Sequence, residues 1–290
     1  MIIKPSDLPI PRLQAYLQSA ITPRPIAFVS SIDTQGHVNL SPFSFFNMFS
    51  MNPPILIFSP SRRVRDNTTK HTLQNVQEVP EVTINIVSYN MVEQTSLASC
   101  EFPKGVNEFV KAGFTEISSQ LVRPPYVAES PVSFECRVKQ VLPLGESGGA
   151  GNLVICEVLL MHIQDAVLDT HGMIDPHKLD VVARMGKNFY SRVQGESIFE
   201  VAKPNEKIGI GYDAIPETIR NSTILTGNDL GRLGNIEKLP EGSELAPMRD
   251  DPEWLLASYQ GEIGLHQLAK RYLSEGKITE AWKVLLAWVS

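Results

Sequence analysis

A cluster of basic residues lies between positions 59 and 72 of a chain that is otherwise acidic. The cluster consists of Arg62, Arg63, Arg65 and Lys70, opposed by Asp66. A helical pattern begins at its end, and the free N–H groups and dipole of a helix amino terminus favour negative charge. The segment therefore predicts a local phosphate site, although an ordinary solvated basic loop has the same composition.

The segment 41–50 combines four phenylalanines with serines and an asparagine. A planar heteroaromatic ligand needs apolar faces for its rings and a few polar groups at their edges. A core strand with internally packed phenylalanines is the alternative, but it does not explain Ser44 and Asn47 among the rings. The segment therefore predicts a surface that binds a ring system.

Three other patterns match catalytic, cofactor or metal motifs without the required context. Residues 145–149 read Gly-Glu-Ser-Gly-Gly, as in a hydrolase nucleophile elbow, but a strand-like run follows where the elbow needs a helix. Residues 209–214 match a loose dinucleotide fingerprint, yet no convincing strand precedes them and Pro216 prevents a helix directly behind. The histidines between 162 and 177 have no standard metal-ligand spacing. We therefore predict neither a catalytic triad nor a metal site.

The elements that must position these residues are mainly strands, because short β-branched and aromatic runs alternate with Pro, Gly and Asn. The six predicted strands are residues 26–32, 38–50, 55–59, 82–88, 132–144 and 153–163. The segments 33–36 and 145–152 are predicted to close hairpins. The predicted helices are 68–79, with Asn67 as its cap, and 91–99. Only turns separate the first three strands, which favours an antiparallel barrel or sandwich with helices at its rim.

The character of the chain changes near residue 200. The stretch 201–247 is rich in Gly, Pro and Asn, and the stretch 251–290 contains all three tryptophans on a helical pattern. Residues 265–286 predict two helices around a turn at Gly276, similar to one tetratricopeptide hairpin. One unit is not an array, so a packed helical tail is the simpler interpretation. We predict a domain at 1–200 and a loop-rich and helical extension at 201–290.

Composition limits the class of protein. The 290 residues are 42% hydrophobic, which is sufficient for a sizeable core and excludes a disordered or fibrous chain. The net charge of -6 gives no general attraction to nucleic acid or anionic membranes. The apolar runs are shorter than the roughly 20 residues that cross a bilayer, and the proline-containing amino terminus does not resemble a signal peptide. Three scattered cysteines favour a reducing compartment, so we predict a cytoplasmic protein.

Five short segments between residues 22 and 88 form an ordered set. They are Thr22-Pro-Arg-Pro-Ile-Ala-Phe-Val-Ser30, Asn39-Leu-Ser-Pro-Phe-Ser-Phe-Phe-Asn47, Asn52-Pro-Pro-Ile, Lys70-His-Thr-Leu-Gln-Asn75 and Thr83-Ile-Asn-Ile-Val-Ser88. Together they resemble the flavin reductase-like family of FMN-binding split-barrel proteins, which includes flavoredoxins. With weaker similarity at 107–113 and 183–190, the resemblance covers about residues 5–195.

The resemblance implies a six-stranded antiparallel Greek-key barrel, usually a homodimer, with FMN in a groove near the subunit interface. The isoalloxazine contacts that it implies are Ser44, Phe45 and Asn47. The implied phosphate contacts are Ser59, Arg62, Lys70 and Thr72, with Asn75 supporting the helix turn. It also places Arg24 close to the flavin, and Arg184 and Tyr190 at the same site from either chain. The family usually has Lys-Asp-Thr where this chain has Lys70-His71-Thr72, which makes the loop more cationic and removes a carboxylate partner.

Flavin carries its own hydride chemistry at N5, and the protein supplies orientation, electrostatics and exclusion of water. The resemblance therefore implies no dedicated catalytic residue. We predict an NAD(P)H-dependent flavin reductase that passes electrons to free flavin, a protein partner or a small acceptor. The alternatives are a flavoredoxin-type electron carrier reduced by another protein, and a non-catalytic binding protein that uses its carboxy-terminal helices. The sequence distinguishes neither NADH from NADPH nor one acceptor from another.

Overall fold

The computed structural model describes residues 1–204 and 207–289, with side chains up to residue 288. The chain divides into two units, Met1–Phe199 and Glu200–Ser290. Each unit buries a hydrophobic core of its own.

Eleven strands are present in the described residues. They are β1 (Ala27–Ile32), β2 (Val38–Phe43), β3 (Phe46–Met51), β4 (Pro54–Phe58), β5 (Glu81–Ile86), β6 (Glu116–Ile117), β7 (Tyr126–Val127), β8 (Val132–Pro143), β9 (Asn152–Ile163), β10 (Val182–Arg184) and β11 (Tyr190–Arg192). Seven of them form one antiparallel sheet in the order β2, β1, β5, β8, β9, β4, β3. The pairs β6 with β7 and β10 with β11 form separate ladders.

The prediction of six strands was wrong in one detail, because the main sheet has seven. The predicted strand 38–50 is divided at Ser44 and Phe45 into β2 and β3, which lie at opposite edges of the sheet. Three residue steps from Phe43 to Phe46 span at most about 11 Å of extended chain. The two edges must therefore approach each other, and the sheet curls round on itself. The other five predicted strands are confirmed as β1, β4, β5, β8 and β9.

The helices of the described residues fall in both units. They are α1 (Ile10–Ala20), α2 (His71–Glu78), α3 (Val92–Leu97), α4 (Glu108–Ala112), α5 (Pro176–Leu179), α6 (Glu217–Arg220), α7 (Gly227–Gly234), α8 (Gly242–Leu245), α9 (Pro252–Ser258), α10 (Gly261–Ser274) and α11 (Ile278–Val289). None of these helices is both long enough and apolar enough to cross a membrane. Helix α2 begins later than predicted, directly after Lys70. Asn67 does not cap it, because this residue has a φ of 56° and its side-chain oxygen accepts a hydrogen bond from Arg62.

Strand β1 is buried on both faces, which places it at the centre of the first unit. Val29 points into the curled sheet, where Cys136 and Cys156 are also fully buried. Burial raises the pKa of both thiols. Alternate residues of a strand face opposite sides, and Phe28 accordingly packs outward in a second cluster with Phe109 of α4.

The second unit is helical and is built around Trp282, whose side chain has no exposed surface. The indole N–H of Trp282 donates to the carbonyl of Leu233 at 3.0 Å, and that of Trp254 donates to the carbonyl of Val284 at 3.2 Å. Gly276 has a φ of 76° and joins α10 to α11, so the predicted helix-turn-helix arrangement is confirmed.

Candidate functional site

A cavity of about 700 Å³ lies in the first unit and is called the α1 cavity below. Its three walls are the apolar side of α1, Phe45 in the link between β2 and β3, and the basic segment 61–65 together with Lys70. Apolar and cationic walls therefore face one space. Sites for small molecules and cofactors typically have volumes of roughly 300–1,000 Å³.

Helix α1 provides the apolar wall. Ile10, Leu13, Leu17 and Ile21 recur at intervals of three or four residues, so they lie on one side of the helix and line the cavity. None of the residues of α1 is buried in the protein. The helix covers the cavity without belonging to the core.

Arg24 holds the carboxy-terminal end of α1. Its Nη1 donates to the carbonyls of Gln18 and Ile21, the latter at 2.6 Å, and its Nη2 donates to the carbonyl of Met185 at 3.0 Å. Burial, reinforced by the positive charge of Arg184, lowers the pKa of the Arg24 guanidinium. Arg24 lines the cavity as the sequence predicts, but its donors are used mainly to position the helix.

Phe45 provides the aromatic surface. Its side chain is 41% exposed and lines the α1 cavity, while its carbonyl accepts the backbone N–H of Ser59 at 2.9 Å. The neighbouring Ser44 hydroxyl accepts a long hydrogen bond of 3.5 Å from Nε of Arg24. Asn47 lies on β3 outside the cavity wall, and its side-chain oxygen accepts the N–H of Met48 at 2.8 Å.

Two arginines of the basic segment are paired with carboxylates. Arg63 donates to Glu101 at 3.0 Å, and Arg65 pairs with both Glu101 and Asp66. Hydrogen bonds from Thr68 and Arg65 lower the pKa of Asp66 to about 2, and hydrogen bonds from Arg65 and Arg63 lower the pKa of Glu101. Both carboxylates are therefore ionised at neutral pH. Four cations against two anions leave a local excess of two positive charges.

Arg62 and Lys70 account for that excess. The guanidinium of Arg62 donates to the side-chain oxygen and the carbonyl of Asn67, at 2.7 and 2.8 Å, and has no carboxylate partner in the described part of the chain. The half-buried ammonium of Lys70 has neither a hydrogen-bond nor an ion-pair partner among the described residues. Burial, together with the positive charge of Arg63, lowers the pKa of Lys70. Both cations line the α1 cavity.

The glycine-rich loop between β8 and β9 packs against the basic segment. A Cβ atom at Gly148 would lie 3.0 Å from the carbonyl oxygens of Arg63 and Val64. Gly149 has a φ of 92°, and a Cβ there would lie 3.0 Å from Cγ2 of Ile10. Only glycine lets this loop approach both walls so closely. The Gly-x-Ser-x-Gly pattern therefore closes a hairpin beside the cavity, and no helix follows it.

Two of the predicted phosphate contacts, Ser59 and Thr72, and the predicted helix support Asn75 are absent from the lining of the α1 cavity. Thr72 is buried, accepts a hydrogen bond of 2.9 Å from Asn39, and borders a small polar cavity that shares Lys70 with the α1 cavity. Ser59 is buried. Asn75 faces inward and donates to the hydroxyl of Ser31 at 3.1 Å. His71 also borders the small cavity, and burial and nearby cations lower its pKa, so this residue adds no charge at neutral pH.

Arg184 and Tyr190 lie elsewhere in this subunit. They are partners across the β10 and β11 ladder, with the guanidinium 4.6 Å from the centre of the phenol ring, and they line a separate cavity. Arg24, Phe45, Arg62 and Lys70 are thus the predicted residues that the fold brings together in the α1 cavity.

The α1 wall and Glu101 were not predicted from the sequence. The spacing of Ile10, Leu13 and Leu17 is a readable helical signal, but the surrounding prolines conceal it. Glu101 follows α3, far along the chain from the arginines that it pairs with, and a single sequence contains no signal for that ion pair.

Comparison with known proteins identifies the first unit. The model of the family described as "Flavin reductase like domain" matches residues 19–178. The chain belongs to the flavin reductase-like family. The resemblance found in the sequence is thereby confirmed.

Relatives share this domain. An uncharacterised protein of Aquifex aeolicus (strain VF5) is 37% identical over 181 residues, which cover 62% of this chain and 90% of that protein. The structure of nitrilotriacetate monooxygenase component B from Bacillus cereus is similar, with 28% identity and a TM-score of 0.65, covering 69% of this chain and 98% of that chain. A Shewanella frigidimarina NCIMB 400 protein with a split barrel domain has 24% identity and a TM-score of 0.59, covering 70% of this chain and 99% of that chain. The curled sheet is accordingly the split barrel of this flavin reductase-like family.

Proposed function

We propose that this member of the flavin reductase-like family binds FMN in the α1 cavity and acts as an NAD(P)H-dependent flavin reductase. The asymmetry of the cavity carries the proposal. Its apolar walls are α1 and Phe45, and another wall presents Arg62 and Lys70, which have no carboxylate partner among the described residues. FMN has the same asymmetry, because a planar ring system and a phosphate lie at its two ends.

The residues present fit this cofactor. Positive charge in excess of the local carboxylates is what a phosphate requires. The close approach of the loop at Gly148 and Gly149 brings the basic segment and the start of α1 to the same cavity. The other residues predicted to contact FMN stay predictions; they are Ser44, Asn47, Ser59, Thr72 and Asn75.

When bound, FMN would supply the redox chemistry by accepting a hydride at N5. Lys70 and Arg62 would bind and orient the phosphate end. Phe45 would present an apolar surface to the ring end, and Leu13 and Leu17 of α1 would exclude water from it. Exclusion of water strengthens the electrostatic interactions within the cavity. None of these roles requires a side chain to donate or accept a proton.

The similarity to a monooxygenase component favours a protein as the acceptor of the reduced flavin. The Bacillus cereus protein is by its name one component of such an enzyme. We propose that this chain likewise passes electrons onward to a separate protein in the cytoplasm, with free flavin and small molecules as alternative acceptors.

A homodimer is proposed from the edge of the sheet. Strand β3 pairs with β4 alone, so its other side is unpaired within the described chain. Met48, Phe49 and Met51 on this strand are 58%, 64% and 81% exposed. Large apolar side chains on an edge strand are typical of an interface. Light scattering should report a dimer, and Phe49→Lys should reduce the mass towards that of a monomer.

The function is tested on the purified 290-residue chain. We expect uptake of FMN with a flavin absorption spectrum, followed by bleaching within the catalytic timescale when NADH or NADPH is added anaerobically in a stopped-flow instrument. Uptake of FMN with slow bleaching by both nucleotides, but fast bleaching by a reduced donor protein, would instead indicate an electron carrier. Failure to bind FMN would refute the flavin assignment and favour a non-catalytic binding role.

A further inference from the structure

A second cavity of the first unit, about 380 Å³ in volume, has a chemistry different from that of the α1 cavity. It lies between the β10 and β11 ladder and the segment that contains Tyr89 and the start of α3. We call it the hairpin cavity. The residues that matter for its chemistry are Tyr89, Glu93, Arg184, Tyr190, Ser191 and Arg192.

Two stacked pairs of arginine and tyrosine line the hairpin cavity. The guanidinium of Arg184 lies 4.6 Å from the centre of the Tyr190 ring, and that of Arg192 lies 3.7 Å from the centre of the Tyr89 ring. Such planar, cationic surfaces bind the faces of aromatic bases. The cavity therefore offers stacking surfaces for a heteroaromatic ring.

One of the two arginines, Arg192, is paired with a carboxylate, and the other, Arg184, is not. Arg192 makes two hydrogen bonds of 2.7 Å to the carboxylate of Asp180, which neutralises it. Arg184 uses Nη2 to donate to the carbonyl of Lys187 at 2.8 Å and has no carboxylate partner among the described residues. A guanidinium has five N–H donors. Arg184 therefore retains both charge and donors for an anionic group such as a phosphate.

Two further groups of the cavity lack partners. Glu93 is exposed, and its carboxylate makes no hydrogen bond or ion pair within the described part of the chain. The hydroxyl of Ser191 is buried without a hydrogen-bond partner, which is unfavourable unless a partner is supplied. A carboxylate that accepts the hydroxyls of a ribose is the usual means by which proteins select NAD over its 2′-phosphorylated form.

The stacked arginine and tyrosine side chains suit an adenine ring, the guanidinium of Arg184 suits a phosphate, and the carboxylate of Glu93 suits the hydroxyls of a ribose. One adenine nucleotide contains all three groups. We infer that the hairpin cavity binds the adenosine diphosphate half of NADH, and that the carboxylate of Glu93 selects NADH over NADPH. This inference rests on the proposed reductase function. Arg24, which lines the α1 cavity, and Arg184, which lines the hairpin cavity, are paired through their backbones, with hydrogen bonds of 3.0 and 2.9 Å. A dinucleotide has two rings joined by a pyrophosphate, and the hairpin cavity is assigned its adenosine half alone.

The test uses ADP-ribose, which contains the adenosine half and has no redox function. Calorimetric titration of the 290-residue chain, saturated with FMN, should detect binding of ADP-ribose. Arg184→Gln should weaken that binding about tenfold and leave the dissociation constant of FMN within a factor of two. In turnover assays the same variant should raise KM for NADH with little change in kcat. Arg137→Gln, at an exposed position of β8, is the matched control and should change neither ligand.

Glu93→Gln provides a second variant, at an exposed position where the fold is expected to be retained. It should reduce the preference for NADH over NADPH, measured as the ratio of kcat/KM values, about tenfold. The inference is overturned if ADP-ribose does not bind the wild-type protein at millimolar concentration, or if Glu93→Gln leaves the preference unchanged. It is also overturned if Arg184→Gln weakens FMN as much as ADP-ribose, because Arg184 would then belong to the flavin site. Failure of FMN to bind would refute the proposed function, and ADP-ribose would then be titrated into the protein without FMN, which tests the hairpin cavity separately.

Discussion

Replacement of Lys70 by glutamine should separate the phosphate end of the flavin from its ring end. The ammonium of Lys70 is half-buried in the α1 cavity and has no partner among the described residues. Riboflavin and FMN differ only in the phosphate. The variant should therefore weaken FMN and leave riboflavin nearly unchanged.

The expected magnitude follows from the position of Lys70. A hydrogen bond to a charged group contributes about 1.5–3 kcal/mol. Lys70 is partly open to solvent, which screens the charge, so the lower end of that range applies. Since 1.4 kcal/mol corresponds to a factor of ten, the dissociation constant of FMN should rise about tenfold.

Quenching of flavin fluorescence during titration of the apoprotein measures both ligands at one fixed ionic strength. Lys139→Gln is the matched control, because Lys139 is exposed on β8 and pairs with Glu157 at 3.0 Å. It should change neither affinity by more than about twofold, as is usual for surface ion pairs. An equal loss of FMN and riboflavin binding in Lys70→Gln, or no loss of either, would refute the assignment of Lys70 to the phosphate end.

Four other variants test separate parts of the structure. Glu101→Gln removes the carboxylate shared by two arginines and should tighten FMN but not riboflavin in the same titration; weaker FMN binding would contradict the charge argument. Gly149→Ala should lower the free energy of unfolding by about 1–3 kcal/mol in urea and also weaken FMN, whereas Gly36→Ala, with the same φ of 92° but open space around it, should affect stability alone. Trp282→Ala should destabilise the helical unit by about 3–5 kcal/mol in calorimetry, with FMN affinity retained; loss of FMN binding would show that the two cores are not independent. Burial alone would raise the pKa of Glu135, but hydrogen bonds from the backbone N–H groups of Gln120 and Leu121 and from His162 outweigh it and leave the pKa lowered. The wild-type protein should therefore be more stable than Glu135→Gln at neutral pH, and this difference in the free energy of unfolding should decline as the pH falls below about 4. A difference that does not depend on pH would disprove this.

The strands and the cationic segment were predictable because their signals are local. Alternating β-branched residues bounded by turn formers determine β1, β5, β8 and β9 directly. The division between β2 and β3 was not predictable, since Ser44 and Phe45 continue the strand-like composition and only the curl of the sheet separates the two strands. The excess positive charge was overestimated for a similar reason, because Glu101 reaches Arg63 through tertiary structure.

The candidate site was predictable where its residues fall within one segment and was not where distant elements meet. Arg62 and Lys70 lie in such a segment and share the α1 cavity with Phe45. The pairing of Arg24 with Arg184 joins residues far apart in the chain. Arg184 and Tyr190 line the hairpin cavity and not the α1 cavity of the same subunit, which no local pattern could indicate.

Only Ser44 and Phe45 connect β2 to β3, so a two-residue link ties the two edges of the curled sheet together. The length of this link limits the distance between the end of β2 and the start of β3, since each added residue would allow about 3.5 Å of further separation. Phe45 belongs to this link, and its side chain also lines the α1 cavity. We expect that lengthening this link by one glycine would let the edges of β2 and β3 move apart and would also displace Phe45 from the cavity wall.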